Sequence, residues 1–350
     1  MMTSAVRITA VPRSEAPNSG LQALHFAAHY GDEVWALPAP GAYIGDYDRV
    51  SFFFLDRATL AKFIPLRVIR LAYLWWLLVQ TPFRAGRLFF VHSFIFAIPL
   101  YLLRQRYCIF VHGTDRRFLD RGWARRVARG ADAVFGVGFG VQSPDLNVQE
   151  VPNVFTPAPP VRQLPFDHDV LFVLRNAPVK NPLYPISLAE RLGARLNLRI
   201  AVIGVGPEEL PPAERERLDR LLANGQQVRY LGRQPYEEVA RMMGVSRILV
   251  VPSFSEGIPK ALLEGMSQGM HVVINQTLEF SPDIMARVES VDIDDWTRVA
   301  RIIEDHREGD RSEANIAFAR EYLTRSQDCL LTLYDDVYAR HRGVDITGTA

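Results

Sequence analysis

The stretch RILVVPSFSEGIPKALLEGMSQGMHVVINQ, residues 247–276, contains the pattern from which the fold follows. RILVVPS is a short apolar run, which favours a buried strand. We expect a helix to begin near Pro259, because proline is tolerated at a helix start, where its missing N–H would be unpaired anyway. HVVINQ is a second short apolar run. Strand, helix and strand in this order are typical of a parallel sheet covered by helices.

The same alternation extends over most of the chain. Apolar runs that predict strands are VRITAV, GDEVWALPA, RLFFVHS, YCIFVHGTD, VLFVLRN, LRIAVIGVG and QVRYLGR, and helical patterns such as LQALHFAAHY, PAERERLDRLLANG and PYEEVARMMG lie between them. RGWARRVARGADAVFGVG predicts a helix followed by a strand. Residues 151–169 interrupt the alternation with five prolines, which predicts a linker. We therefore predict an α/β protein of two doubly wound, Rossmann-like domains that face a cleft.

The predicted bounds are 1–155 for the first domain, 156–168 for the linker and 169–320 for the second domain. Residues 321–350 are expected to be helical. The segment ANIAFAREYLTRSQDCLLTLYDDVYARH, which begins just before them, predicts two helical stretches, and one of these could pack back on the first domain. The length of 350 residues agrees with two domains, because single hydrophobic cores seldom grow that large.

The composition indicates the class of protein and the cellular compartment. The chain is 48% hydrophobic and 23% charged, as expected for an ordinary globular protein. It has two cysteines, Cys108 and Cys329, so a disulfide framework is not expected and a reducing cytoplasm fits. The first residues lack a basic segment followed by an apolar one, which argues against a signal peptide.

The formal net charge of the chain is only +1, but one region is strongly basic. Between Lys62 and Arg129 there are thirteen Lys and Arg against two acids. Two apolar segments lie there, residues 71–83 and 88–103, both shorter than the roughly 20 residues of a membrane-spanning helix. They predict either a core helix and a buried strand with its following helix, or a basic aromatic helix on an anionic membrane surface. Nucleic acid is not expected, because no recognition motif accompanies the charge.

The opening stretch contains two candidate ligand-binding carboxylates, Glu256 and Glu264. Glu256 precedes the helix and Glu264 lies inside it, so they cannot share one helical face and could instead accept hydrogen bonds from two ends of one ligand. The first N–H groups of the helix, from Lys260 to Leu263, would be available to an anion such as a diphosphate. The alternative is a capping carboxylate at Glu256 and a paired surface residue at Glu264.

Other candidates follow other strands. Arg175 and Lys180 follow VLFVL and could stabilise an anionic leaving group, or they are solvated surface cations. His112, beside Gly113, could hydrogen-bond a sugar, or it is a core histidine, and His92 has the same placement. Gly20 opens the first predicted helix, where an anion can bind, although a plain loop glycine would look the same.

The segment FSEGIPKALLEGMSQGMHVVI resembles the element of two glutamates with seven residues between them that is typical of the family 4 retaining glycosyltransferases, which have the GT-B fold. Further segments resemble that family in the same order: PNSGLQALHFAAHYGDEV its N-terminal glycine loop, VHGTD its His-Gly-x-Asp segment, VPNVFTP its linker entry, LRNAPVKNP its phosphate clamp, and IAVIGVGP and VRYLGR the strands beside its base pocket. One departure is QTLEFSPDI after HVVIN, where the family often has a glycine pair and a glutamate.

The resemblance implies roles for particular residues. Catalytic roles fall to Glu256, His112, Arg175 and Lys180. Donor binding falls to Gly20, Arg175, Lys180, Gly206, Glu256, Gly257, Ile258, Leu262 and Glu264, and the acceptor side to His92 and Asp115. Glu264 would hold the ribose, Glu256 the transferred sugar, and Arg175 with Lys180 the diphosphate.

The expected function is retaining, metal-independent transfer from a nucleotide-sugar donor to a glycan or lipid-linked acceptor in cell-surface polysaccharide biosynthesis. No cofactor and no metal are expected. Three Asp-x-Asp pairs, at residues 46 and 48, 167 and 169, and 292 and 294, stand in turn-like contexts and do not change this. The place of action would be the cytoplasm, at the inner face of the membrane if the basic region binds lipid. Alternatives are a catalytically silent scaffold of the same fold and a nucleotide-sugar epimerase.

Overall fold

The structure, a computed structural model, describes residues 7–11, 33–36, 50–52, 79, 88–92, 94–112, 119–137, 145–152 and 165–342. The chain divides into two compact units. Unit 1 comprises Met1–Val154 and Arg325–Ala350, and unit 2 comprises Phe155–Thr324. The segment predicted as a linker, 156–168, therefore falls within unit 2.

Unit 1 contains a parallel sheet of seven described strands in the order β3-β2-β1-β4-β5-β6-β7. The strands are β1 Arg7–Val11, β2 Glu33–Ala36, β3 Val50–Phe52, β4 Leu88–Val91, β5 Arg106–His112, β6 Ala133–Val137 and β7 Val148–Val151, and the described helices before residue 155 are α1 Phe94–Leu102 and α2 Gly122–Arg129. All four residues of β4 are buried, as expected for a central strand whose two faces are covered.

Unit 2 contains a second parallel sheet, of six described strands in the order β10-β9-β8-β11-β12-β13. The strands are β8 His168–Val173, β9 Arg199–Ile203, β10 Gln227–Tyr230, β11 Ser246–Val251, β12 His271–Asn275 and β13 Glu289–Val291. The helices are α3 Tyr184–Leu188, α4 Ala194–Leu196, α5 Pro212–Ala223, α6 Tyr236–Gly244, α7 Lys260–Ser267, α8 Pro282–Met285, α9 Trp296–Arg307 and α10 Glu313–Arg342, with a π-helical turn Ala189–Gly193 and 3-10 turns Pro178–Lys180 and Pro207–Glu209.

Both faces of the unit 2 sheet are packed. Because successive side chains of a strand point to opposite faces, Phe172 joins one buried cluster and its neighbour Leu171 joins the other. The same division separates Val250 from Leu249 in β11. Covered faces leave the ends of the strands as the places where polar loops can bind a ligand.

The prediction of a parallel α/β architecture is confirmed. Residues 88–103 are the strand β4 followed by the helix α1, as in the first of the two interpretations of that segment. The other apolar segment, residues 71–83, lies outside the described residues apart from Val79, as does the helix predicted over LQALHFAAHY. Within the described part of the chain, no helix is long and apolar enough to cross a membrane.

The prediction of two helical stretches near the C-terminus is wrong. Residues Glu313–Arg342 form one helix of 30 residues, α10. No Pro or Gly occurs within these residues, so nothing in the local sequence interrupts the backbone hydrogen bonds. The boundary between the units falls within α10, at residues 324 and 325. In unit 1 the Tyr334 ring stacks on Phe90, with ring centroids 4.3 Å apart.

Candidate functional site

The candidate site lies at the carboxyl ends of β8 and β11, which are neighbours in the unit 2 sheet. From β8 the chain adds β9 and then β10 on one side, and from β11 it adds β12 and then β13 on the other. The strand order therefore reverses between β8 and β11. Such a switch point is where open parallel sheets bind ligands, because the loops on its two sides diverge.

An ion pair joins the loops that follow these two strands. The Lys180 ammonium contacts the Glu256 carboxylate across 76 positions of sequence, and both side chains are largely buried. Ser253, which is itself buried, donates a hydrogen bond from Oγ to Glu256 Oε1 at 2.8 Å. The carboxylate is thus fixed from two directions.

Backbone geometry brings the ion pair together. Pro178–Lys180 form a 3-10 turn that ends at Asn181, whose φ of 50° lies in the left-handed region that asparagine tolerates. The Phe254 N–H donates to the Val179 carbonyl oxygen at 2.9 Å, which fastens the β11 loop to this turn. Glu256 is therefore a loop residue bound by Lys180 and Ser253, whereas the residue at the helix cap is Pro259.

The loop after β9 is fastened to the same edge of the sheet. Gly204 has φ +93°, and a Cβ there would lie 2.0 Å from the Leu174 carbonyl oxygen, so glycine is required. Asn176 Nδ2 donates to the Glu209 carbonyl oxygen at 3.0 Å. The Gly206 N–H donates to Glu209 Oε1 at 3.1 Å, so this predicted donor-binding glycine already uses its amide within the loop.

The second glutamate of the element, Glu264, shares one face of α7 with Lys260, because the two are four residues apart. Lys260 is 7% exposed and Glu264 is half-buried, so Glu264 is not the surface residue of the alternative interpretation. Burial raises the pKa of the Glu264 carboxyl to about 7, while the charge of Lys260 opposes that rise. Burial likewise lowers the pKa of the Lys260 ammonium, against the attraction of Glu264.

Three predicted residues between the glutamates have different surroundings. Ile258 and Leu262 are buried in the hydrophobic core, where they are 7% and 0% exposed. The expectation that the Leu262 N–H is available to an anion is wrong, since it donates to the Pro259 carbonyl oxygen at 3.0 Å. Gly257 has open space beside its Cα, where a ligand could approach the backbone.

Arg175, the other predicted cation, follows β8 and is exposed. Among the described residues no carboxylate forms an ion pair with it. The structure therefore brings Lys180, Ser253 and Glu256 together but leaves Arg175 outside that cluster. The side chains of Ser253 and Lys260 were not predicted to take part, because a short polar or basic residue three or four positions from a glutamate gives no distinctive sequence signal.

The predicted residues of unit 1 are less completely placed. His112 is the last residue of β5 and pairs in register with Val137 of β6. Gly20 and Asp115 lie outside the described residues. The prediction that His92 faces an acceptor is wrong, because its ring is buried and stacks on Phe110 with centroids 4.5 Å apart.

The described Asp-x-Asp pairs have local structural roles. Asp169 is buried and accepts hydrogen bonds from the Arg199 backbone and guanidinium, at 2.9 and 3.2 Å. Asp292 Oδ1 accepts from the Asp294 N–H at 3.0 Å, closing a turn. Over the part of the chain that the structure covers, no group of three or more His, Cys, Asp or Glu is arranged to hold a metal ion.

The chain resembles known proteins at two levels. Residues 164–316 match the model of the family Glycosyl transferases group 1. No curated protein matches the chain. Among solved structures, sucrose-phosphate synthase from Thermosynechococcus elongatus has a TM-score of 0.67 at 14% identity, over 96% of this chain and 100% of that one.

Two further structures show the same similarity. HepE from Anabaena, in complex with UDP and glucose, has a TM-score of 0.67 at 15% identity, over 94% of this chain and 99% of that one. A glycosyltransferase from Rickettsia africae has a TM-score of 0.65 at 12% identity, over 96% and 99%. Identities this low establish the fold and nothing finer. The chain therefore has the GT-B fold, and its unit 2 carries a segment that matches the group 1 glycosyltransferases.

Proposed function

We propose that the protein is a retaining, metal-independent glycosyltransferase that moves a sugar from a nucleotide-sugar donor to a glycan or lipid-linked acceptor in cell-surface polysaccharide biosynthesis. The observation that carries this proposal is the Lys180–Glu256 pair at the β8–β11 switch point. It lies within the segment that matches the family model, and Glu264 follows on α7.

Lys180 and Arg175 would stabilise the negative charge of the leaving diphosphate. When the bond between the sugar and the diphosphate breaks, negative charge develops on the leaving phosphate. A fixed cation aimed at that charge stabilises the transition state more than the ground state. Lys180 is held at the site by its loop, and Arg175 on the same loop is exposed and available to the second phosphate.

The carboxylates bind hydroxyl groups. Glu256 is held by Lys180 and Ser253 and retains acceptor capacity for hydroxyls of the transferred sugar. Glu264 would accept from the ribose of the nucleotide. Neither is assigned as a nucleophile, so we favour transfer on one face of the sugar, through an oxocarbenium-like state, over a covalent intermediate.

The solved structures support a nucleoside diphosphate as leaving group. HepE was crystallised with UDP and with UDP-glucose, and another structure of the same fold is a UDP-forming trehalose-phosphate synthase from Burkholderia xenovorans. UDP-sugars are therefore the first donors to test, alongside GDP- and ADP-sugars.

The activity test measures nucleoside diphosphate released from a panel of nucleotide sugars with candidate acceptors. We expect Lys180→Ala to lower kcat about 10²-fold, as loss of a comparable anion-stabilising group does. Arg220→Ala is the matched control, because Arg220 forms an exposed ion pair with Glu216 on α5. If Lys180→Ala stays within a factor of a few of the wild type, Lys180 does not have this role.

The panel also separates the alternative functions. Nucleotide binding without turnover on any acceptor would favour a silent scaffold. Conversion of the donor sugar without an acceptor would favour an epimerase. Transfer to an acceptor, with retained anomeric configuration in the product by NMR, supports the proposed function.

A lipid-linked acceptor would bring the enzyme to the cytoplasmic face of a membrane. In support, α2 buries Ala124 and Val127 and turns Arg126 to solvent, and Trp123 is half exposed on the same helix. Such a basic, aromatic surface suits anionic lipid headgroups. Cosedimentation with vesicles that contain anionic lipid, and not with neutral vesicles, is the expected result, and equal sedimentation with both would remove this part of the proposal.

A further inference from the structure

Two large apolar side chains stand exposed beside the Lys180–Glu256 pair. Phe254 is 53% exposed and Val179 is 39% exposed, although side chains of these types are most often buried. Val179 directly precedes Lys180, and Phe254 lies two residues before Glu256. Each apolar residue therefore flanks one member of the ion pair.

The two residues belong to one local structure. The Phe254 N–H donates to the Val179 carbonyl oxygen at 2.9 Å, although the residues come from different loops. The Phe254 carbonyl oxygen accepts from Thr277 Oγ1 at 3.5 Å, which links it to the loop after β12. Its neighbour Ser253 is buried and bonded to Glu256. The position of Phe254 is therefore set by three loops of the same sheet edge.

The polar groups around this apolar pair restrict the ligand. These groups are the Glu256 carboxylate, the Lys180 ammonium and the Thr277 hydroxyl, which is hydrogen-bonded to the Phe254 carbonyl oxygen. A site that combines an aromatic surface with a few convergent polar groups suits a ligand with an apolar face and a polar edge. A pyranose ring has this form, with C–H groups on its face and hydroxyls around its edge.

We propose that Phe254 and Val179 form an apolar platform on which a pyranose ring of the substrate lies, while Glu256 binds the hydroxyls at its edge. This inference rests on the proposed function, because it assigns a substrate contact within the same site. The ring could belong to the donor or to the acceptor, and the chemistry of the contact is the same in both cases.

The test uses the full chain and three variants. Phe254→Ala removes the ring, and Phe254→Leu keeps an apolar side chain without an aromatic face. Leu222→Ala is the matched control, since Leu222 is 46% exposed on α5. The probes are UDP, GDP and ADP, their glucose conjugates, and methyl α-D-glucopyranoside.

Calorimetry gives the donor arm of the test. If the ring belongs to the donor, Phe254→Ala weakens binding of the glucose conjugate about three- to tenfold, the range expected for an aromatic contact, and leaves the Kd of the parent diphosphate unchanged. Phe254→Leu should give a smaller loss, and Leu222→Ala none.

Saturation-transfer NMR gives the acceptor arm. If the ring belongs to the acceptor, Phe254→Ala leaves the Kd of the diphosphate and of its glucose conjugate unchanged. It abolishes the NMR saturation transfer from the protein to methyl α-D-glucopyranoside that the wild type shows in the presence of the diphosphate.

Two results would overturn the platform. One is unchanged binding of all probes by both Phe254 variants, and the other is an equal loss for the diphosphate and its glucose conjugate. These results differ from failure of the proposed function itself, in which the wild type binds no diphosphate and no nucleotide sugar.

Discussion

At the scale of single residues, the charge of Glu264 depends on Lys260, which lies one turn earlier on α7. In the proposed function Glu264 would accept hydrogen bonds from ribose hydroxyls, and its protonation would weaken that interaction, because it removes the charge and one acceptor oxygen. Burial raises its pKa to about 7, whereas the Lys260 cation opposes that rise. Donor affinity should therefore fall as the pH drops through about 7.

Lys260→Met tests this dependence, because it removes the cation and keeps a long apolar side chain. The pKa of Glu264 should rise further, so the loss of nucleoside diphosphate affinity should move to higher pH. At pH 7 we expect roughly tenfold weaker binding, equivalent to one hydrogen bond to a charged group. The measurement is the Kd between pH 6 and 9 by calorimetry.

Glu264→Gln is the control for that profile. The phosphate of the ligand also titrates, but its contribution is common to every variant. Glu264→Gln should show only that common part. Identical pH profiles for Lys260→Met and the wild type would show that Lys260 does not set the charge of Glu264.

The sequence predicted the candidate residues of the site better than it predicted their contacts. Lys180 and Glu256 were both candidates because each follows a buried strand. Their direct contact was not predicted, since 76 positions separate them and the distance between two loops is set by the packing of the whole sheet. The prediction that the Leu262 N–H is available to an anion was wrong for a local reason, because this N–H donates to the Pro259 carbonyl oxygen.

At the scale of elements, the loop after β9 depends on a glycine. Gly204→Ala would combine a left-handed φ with a Cβ placed 2.0 Å from the Leu174 carbonyl oxygen. We expect a loss of several kcal/mol in the free energy of unfolding, above the roughly 1 kcal/mol cost of the backbone conformation alone. Urea unfolding measures the difference.

Gly225→Ala separates the two causes. Gly225 also has a positive φ, of +77°, but a Cβ added there would meet no other atom within 4 Å. It should therefore lose only about 1 kcal/mol. Equal losses for the two variants would contradict the steric explanation at Gly204.

The central strands could be predicted because both faces of the sheet are covered, which makes a strand such as β11 almost continuously apolar. The strands that were missed, β3, β7 and β13, all lie at sheet edges. They are three or four residues long, and VQEV and ESV are largely polar. Edge strands are less covered, so their sequences lack the apolar run on which the prediction depends.

At the scale of the whole molecule, α10 supplies core residues to unit 1. Tyr334 is buried and lies near Phe90 and Phe110, with ring centroids 4.3 and 5.7 Å away. Tyr334→Ala should destabilise unit 1 by about 3 kcal/mol, the usual cost of removing a buried aromatic ring. Tyr334→Phe keeps the ring and should cost much less.

Hydrogen exchange localises that effect. In Tyr334→Ala, amides of β4 and β5 should exchange faster, while those of β8 and β11 keep the rates of the wild type. Equal acceleration in both units, or no acceleration in β4 and β5, would contradict the placement of Tyr334 in the core of unit 1.

The overall class was accessible from sequence because strand and helix patterns alternate along most of the chain. The continuity of α10 was not, because polar and apolar residues are spread along its 30 residues and the pattern resembles two shorter helices. Its path is set by packing, since its first half contributes Ile316 and Ala319 to the core of unit 2 and its second half contributes Tyr334 to unit 1.

The most direct test of a donor site in unit 2 is a thermal-shift measurement with UDP, GDP, ADP and their glucose conjugates, in buffer that contains a chelator. A ligand at 100 times its Kd adds about 2.7 kcal/mol to the stability of the folded state, which raises Tm by a few degrees. We expect a clear shift with one of the three diphosphates in the wild type and in Arg220→Ala, and a clearly smaller shift in Glu264→Gln. No shift with any of these ligands in the wild type, or an undiminished shift in Glu264→Gln, would contradict a donor site built on Glu264.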